Sequence, residues 1–492
     1  MSHKCPRRLA LSTVLTPVFL CLGTWSAQAA QAPAAPAAAS RAMVGDTAEQ
    51  LNAVQIPDDL KAKVPAAETA YIESGHATRF VRPDVFFKRL RESSAQDITA
   101  YLAALHSAED AVDFKPGRDK PSISMDKSAP EYNAWRTRRP EVLDPKRAPG
   151  PIQLSQYLGG RSAGGIPTFA NAPVAFTPAD LKAGKIEIAI VGAPLDMGTG
   201  YRDALHGPVA LRAQGGTGND MYTMINPTAD LRIVDYGDIA VDNINTDRSV
   251  EHVREVVREI AEAGVIPVVV GGDHSLEYPN VAGITDVHGK GKVGVVHFDS
   301  HYDVQHNAVH LLDHGQPVYR VIMEGHVPGK NYIQVGLRAR IPNVEDFNWM
   351  RDHGMKYHTM VEVEKHGWDA VMERAVAEAK AGVDKLWVSF DIDVLDPAFM
   401  PGTGTPVPGG LTMREAQPIV RRLCAENNMV GFDLVEVAPY LDTSYKTALN
   451  SNYILNACLT GIAMRKRGIT EPHYLSPLSV DHNQDNYYKD KK

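Results

Sequence analysis

The sequence predicts an α/β protein built on a parallel sheet with helices on both faces. Three observations carry that prediction. From Lys185 onward, short apolar β-rich runs alternate with stretches of three-to-four-residue apolar spacing. The runs are nearly unbroken Val and Ile, as expected of strands covered on both sides. Residues able to do chemistry follow directly after several of them, where such sheets bind ligands.

In chain order, residues 1–30 come first. Lys4, Arg7 and Arg8 precede an apolar stretch at 9–23, and Ala27-Gln28-Ala29 or Ala30-Gln31-Ala32 offers a small-x-small cleavage site. This reads as a secretory signal peptide, because the apolar run falls short of the ~20 residues that span a membrane. The expected location is therefore periplasmic or secreted, reached by the Sec or, given Arg7-Arg8, the twin-arginine route. An Ala/Pro-rich linker at 31–40 opens an accessory segment to residue 160. It holds helical patterns at 59–74 and 94–112 and Pro-dense stretches at 115–128 and 139–151.

The α/β domain occupies 161–470. Its strand runs are 186–191, 231–234, 265–270, 293–297, 332–335, 386–390 and 430–435, with helical spacing at 250–263, 370–381 and 412–426. A tail follows at 471–492.

Bulk properties narrow the function. A net charge of -8 over 492 residues, without a long Lys/Arg run, argues against nucleic-acid or anionic-membrane partners and suits a neutral or cationic small molecule. Of four cysteines, Cys5 and Cys21 fall in the signal segment, and Cys424 and Cys458 make no disulfide framework.

Four strand ends converge on chemistry. They are Gly271-Gly272-Asp273-His274-Ser275, Asp299-Ser300-His301-Tyr302-Asp303, Asp391-Ile392-Asp393 and Glu436-Val437-Ala438-Pro439. Crowded carboxylates repel unless a cation lies between them, and Asp-x-His-x-Asp projects its alternate residues to one side of an extended segment. His274 and His301 with Asp299, Asp303, Asp391 and Asp393 form an oxygen-dominated set with some nitrogen, which suits Mn²⁺ and leaves Ni²⁺ or Zn²⁺ as alternatives. One cation cannot neutralise so many acids, so two metals about 3.5–4 Å apart are expected, and such a pair makes a nucleophile of water without serine or cysteine.

These motifs, with Ser389-Phe390-Asp391-Ile392-Asp393-Val394-Leu395-Asp396-Pro397, resemble the ureohydrolase family of arginases and agmatinases over about 164–467. The stretch Pro397-Ala398-Phe399-Met400-Pro401-Gly402-Thr403-Gly404-Thr405-Pro406 is similar to the agmatinase-like branch. The resemblance implies a three-layer α/β/α sandwich around an eight-stranded parallel sheet, here with an amino-terminal extension, and a trimer or hexamer. It further implies a manganese pair: His274, Asp299, Asp303 and Asp391 on one ion, Asp299, His301, Asp391 and Asp393 on the other. His314 resembles the family's proton-shuttling histidine, with His310 as the alternative. Glu436 can accept a bidentate hydrogen bond from a planar guanidinium and aim its carbon at the nucleophile.

The implied reaction is hydrolysis of a guanidino compound to urea and an amine. The loop 304–313 offers Asn307 and Asp313 but no Lys or Arg, which favours agmatine, giving putrescine, over a substrate with a carboxylate tail. The same loop suits a small uncharged guanidine, and guanidinobutyrate and guanidinopropionate remain alternatives, because Arg202, Arg338 and Arg340 could enter from other loops. Two further readings stand against hydrolysis at a metal pair: amide deacetylation at a single zinc, and a non-catalytic exported protein that binds metal or guanidino compounds. The sequence departs from the family at Ser300, at Leu276-Glu277-Tyr278 and at Ala204-Leu205-His206-Gly207-Pro208.

Overall fold

The computed structural model describes residues 53–112, 146–154, 166–196, 203–242, 246–305, 312–340 and 342–480. The proposed signal segment and Asn307, His310 and Arg202 lie outside the described residues. The described residues fall into two units, divided near His106.

The larger unit carries one eight-stranded, wholly parallel sheet in the order β2-β1-β3-β8-β7-β4-β5-β6. Its strands are β1 Ile188–Ala193, β2 Ile233–Asp238, β3 Ile266–Gly271, β4 Val293–Phe298, β5 Tyr332–Leu337, β6 Lys356–Thr359, β7 Lys385–Asp391 and β8 Met429–Val435. Seven match the apolar runs read from sequence. The eighth, β6, has no such run: as a four-residue edge strand it is only half-buried and needs no Val/Ile pattern.

Alternation along the strands sorts the core onto two faces. Ile188, Ile190, Val268, Val270, Val296 and Phe298 pack with the helices Trp368–Gly382, Met413–Glu426 and Lys446–Lys466. Ala189, Val191, Val269, Val293 and Val295 pack with the helices Thr246–Glu262, Glu277–His288 and Pro317–Met323. Each fully buried large apolar side chain contributes roughly 1.5–3 kcal/mol. Trp387 fits into this second face only because Gly431 is its partner across the β7–β8 ladder: a Cβ at 431 would lie 1.9 Å from the indole.

Two features of the sheet position the site. β3 and β4 are consecutive in the chain but separated by β8 and β7, so the carboxyl ends of these four strands lie side by side. Register then aligns a row of buried polar residues across the second face, Asp433 beside Ser389, Ser389 beside His297 and His297 beside Gln334.

The amino-terminal unit has its own small core, in which Ile56, Leu60, Ile72, Phe86, Leu90, Ile98 and Leu102 are buried. Its helices are Thr69–Glu73, Pro83–Glu92 and Ala95–Val112. Pro65 divides the pattern at 59–74 into a run of turns before it and the short helices Ala66–Glu68 and Thr69–Glu73 after it, while the helix Pro83–Glu92 opens with proline at its first position, where no N–H is needed. Among the described residues no helix is long and apolar enough to cross a membrane.

Candidate metal centre

The His274 motif leaves β3 through two glycines. A Cβ on Gly272 would fall 1.6 Å from the Leu195 carbonyl oxygen, so only glycine lets the chain pass. Asp273 then caps the turn by accepting the Ser275 N–H at 3.1 Å, and the fully buried His274 points at the ends of β4 and β7.

Its Nδ1 lies 2.9 Å from Asp299 Oδ2, 3.2 Å from Asp391 Oδ2 and 3.3 Å from Asp303 Oδ2. The other ring nitrogen is fixed from behind. Ser389 donates its hydroxyl hydrogen to Asp433 Oδ1 at 2.6 Å, so the Ser389 oxygen accepts from His274 Nε2–H at 3.0 Å. Asp433 Oδ2 is held by Trp387 Nε1 at 2.7 Å and Asn280 Nδ2 at 3.2 Å. With Nε2 committed to Ser389, Nδ1 is the ring nitrogen turned to the three carboxylates, and it is the one a cation bound there would take as a ligand.

A second group adjoins the first. His301 Nδ1 lies 3.0 Å from Asp393 Oδ2 and 3.3 Å from Asp299 Oδ1. Asp299 therefore turns one oxygen to each histidine. Asp391 keeps Oδ2 toward His274 while its Oδ1 accepts the Asp393 N–H at 2.8 Å. Burial and the charges of Asp393 and Asp299 push the Asp391 carboxyl well above the usual carboxylate range, and burial with the charge of Asp299 pushes Asp303 up to about 6. Burial opposes ionisation of Asp299 as well, but the neighbouring imidazoles of His274, His297 and His301 hold it well below that range. Four acids so placed, with Asp303 and Asp391 raised by their acidic neighbours, fit a site built for cations.

Glu436 stands beside this cluster with its backbone in the left-handed region at φ 64°, and Asp303 does the same at φ 47°. Such a conformation costs a non-glycine residue about 1–3 kcal/mol and marks functional sites. Glu436 is tied at both ends, its N–H donating to the Gly272 carbonyl at 2.8 Å and its Oε1 accepting the His274 N–H at 2.9 Å. Its Oε2 is buried with no hydrogen-bond partner among the described residues. His314 Nδ1 approaches Glu436 Oε1 at 3.4 Å; burial opposes its protonation, yet the hydrogen bond and charge of Glu436 push its pKa up to about 10.

The family model described as the Arginase family matches residues 186–460. The chain belongs to the arginase family. A guanidinobutyrase of Pseudomonas aeruginosa is 37% identical over 63% of the chain and 99% of its own length. An agmatinase of Chromobacterium violaceum is 34% identical over 58% and 85%. Among solved structures, proclavaminate amidino hydrolase of Streptomyces clavuligerus superposes with a TM-score of 0.57 at 29% identity, covering 62% of this chain and all of its own. A hypothetical agmatinase from Burkholderia thailandensis gives 0.56 at 31%, covering 65% and 98%. The arginase-family chain described here is accordingly a hydrolase of guanidino C–N bonds, with the agmatinase-like branch as the fitting one.

The structure thus brings together His274, Asp299, His301, Asp303, Asp391, Asp393, His314 and Glu436. Asp313 is partly occupied, since its Oδ1 accepts the Gly315 N–H at 2.9 Å. Arg338 is not available to a substrate carboxylate: its guanidinium donates to the carbonyl oxygens of Asp393 at 2.8 Å, Val394 at 3.1 Å, Leu395 at 3.3 Å and Val407 at 2.5 Å. Arg340 is exposed.

One residue of the cluster escaped the reading of the motifs. His297, two residues before Asp299, stacks on His274 with ring centroids 4.7 Å apart and joins His274, Asp299 and Asp303 in one group of closely spaced ligand atoms. The signal was its spacing: two residues apart on a strand, His297 and Asp299 face the same side.

Proposed function

We propose that this arginase-family enzyme hydrolyses agmatine to putrescine and urea at a manganese pair. His274, Asp299, Asp303 and Asp391 would hold one ion, and Asp299, His301, Asp391 and Asp393 the other. When bound, the ions supply Lewis-acid activation of water. The single observation that carries the reading is the orphaned Glu436 Oε2. With Oε1 anchored by the His274 N–H, the second oxygen of this buried carboxylate is free to accept an N–H of a planar guanidinium and orient its carbon toward the cluster. His314, kept protonated by Glu436, is placed to give a proton to the departing amine.

The choice of agmatine rests on the acid Asp313 near the site and on the fact that Arg338 is bound to carbonyl groups. Guanidinobutyrate is the second reading, supported by the 37% identity to a guanidinobutyrase. Urea release from agmatine, 4-guanidinobutyrate, 3-guanidinopropionate, arginine and guanidine ranks them. The reading fails if agmatine is not the best substrate, and binding without turnover of any of them would make the chain a guanidino-compound binder. We further propose export to the periplasm or beyond, supported by Lys4, Arg7, Arg8 and the apolar run that follows. A chain found intact at its amino terminus in the cytoplasmic fraction would overturn this.

A further inference from the structure

We propose that Glu277, acting through His297, positions the shared carboxylate Asp299 and so sets how tightly the metal pair is held; this rests on the metal-centre reading given above. Glu277 lies in the motif that departs from the family, three residues after His274 at the start of the helix Glu277–His288. It is fully buried, and a buried acid is costly unless its oxygens are used. Both are used. Tyr332, itself buried at the start of β5, donates its hydroxyl hydrogen to Glu277 Oε1, and His297 Nδ1–H donates to Glu277 Oε2 at 3.0 Å.

These bonds fix the ring of His297. With Nδ1 turned to the acid, Nε2 is left 3.2 Å from Asp299 Oδ2, the same oxygen that faces His274 Nδ1 at 2.9 Å. The imidazole is a rigid spacer between a buried acid and the one ligand whose two oxygens face His274 and His301. Glu277 Oε2 also lies 3.6 Å from His274 Nε2, so a single side chain backs two of the buried imidazoles. Partners behind the ligands fix orientation and charge, and losing one costs about 10–100-fold in metal affinity. Because Asp299 is shared, the loss should reach both ions. Glu277 and His297 are positioning residues in this account and touch no substrate.

Chelator competition for Mn²⁺ with the purified full chain, in the absence of substrate, tests this. Glu277→Gln keeps the shape and removes the charge; its affinity for both ions is expected to fall about 10–100-fold, while the melting temperature of the metal-free protein stays within about 3 °C of wild type. Affinity equal to wild type overturns the proposal, as does a weakening that only mirrors a large loss of metal-free stability. Should Glu277→Gln not fold, Tyr332→Phe decides: removing one donor to Glu277 is expected to weaken Mn²⁺ binding several-fold, and wild-type affinity there overturns the proposal. The measurement is independent of turnover, so a wild-type chain that binds two ions but releases no urea would defeat the proposed function and not this inference.

Discussion

The two halves of the metal cluster are built differently. His274 is fully buried, and behind it stand two tied supports, Ser389 with Asp433 and Trp387, and Glu277 with His297 and Tyr332. His301 has 30% of its side chain exposed, and its half is supported by groups of adjoining loops, Ser300 Oγ at 3.1 Å from its ring, with the Ser300 N–H at 3.0 Å and Thr405 Oγ1 at 3.3 Å from Asp393. One half grows out of the sheet and the other sits on it. The difference predicts that an ion held by the buried half would exchange more slowly than one held by the other, because burial slows both solvent entry and side-chain rearrangement.

The most drastic way to break the comparison is to remove the ligand the halves share. Asp299→Asn should abolish binding at both positions and lower urea release by roughly a thousandfold or more, about 4 kcal/mol in the barrier; metal analysis showing two retained ions would contradict the bridging role. Replacing His314 by Asn tests the chemistry without touching either half. We expect kcat to fall by about 10²–10⁴ with two ions still bound, and a loss of metal in this variant would place His314 in the wrong role.

Smaller perturbations separate the halves. On brief exposure to a chelator, one equivalent should leave quickly and the other slowly, and the slow one should become fast in Ser389→Ala, whose His274 position is expected to weaken about 10–100-fold. Simultaneous release of both ions from the wild-type chain would erase the asymmetry. The smallest effect concerns pH. Burial, with the charge of Glu277, pushes the Asp433 carboxyl up to about 6. Its contribution to the metal-free fold is therefore fully present below its ordinary value near pH 3.8 and is lost as the pH rises through about 6. The melting temperature of wild type relative to Asp433→Asn should accordingly narrow between about pH 4 and pH 7; a gap that widens would show the sign to be wrong.

How much of this was legible in the sequence follows from the same contrast. Runs such as Val268-Val269-Val270 and the alternation of Asp299, His301 and Asp303 are local patterns, and local patterns report strands and one-sided ligand sets. Asp391 and Asp393 could be placed beside them because both motifs close predicted strands. The support of the buried half is not local. Glu277 meets His297 and Tyr332 only when the start of a helix is laid against β4 and β5, and Asp433 in the apolar run of β8 gives no hint that Ser389 stands next to it. Arg338 shows the same limit in reverse: as a cation near the site it invites a carboxylate, but folding surrounds it with main-chain carbonyls. The edge strand β6 was hidden because half-buried residues carry no strong apolar signal.

The polar row Asp433, Ser389, His297 and Gln334 runs along the hydrogen-bonded direction of the sheet, where neighbouring strands are spaced by about 4.8 Å. That spacing acts as a ruler ruled by the backbone, and a slip of one residue in any of these strands would turn its polar member to the opposite face. The loops beyond the strand ends carry no part of the ruler. Redesign of substrate scope can therefore work in the segment around Asp313 while the gauge that spaces the imidazoles and carboxylates stays untouched, which makes this scaffold two modules that can be tuned one at a time.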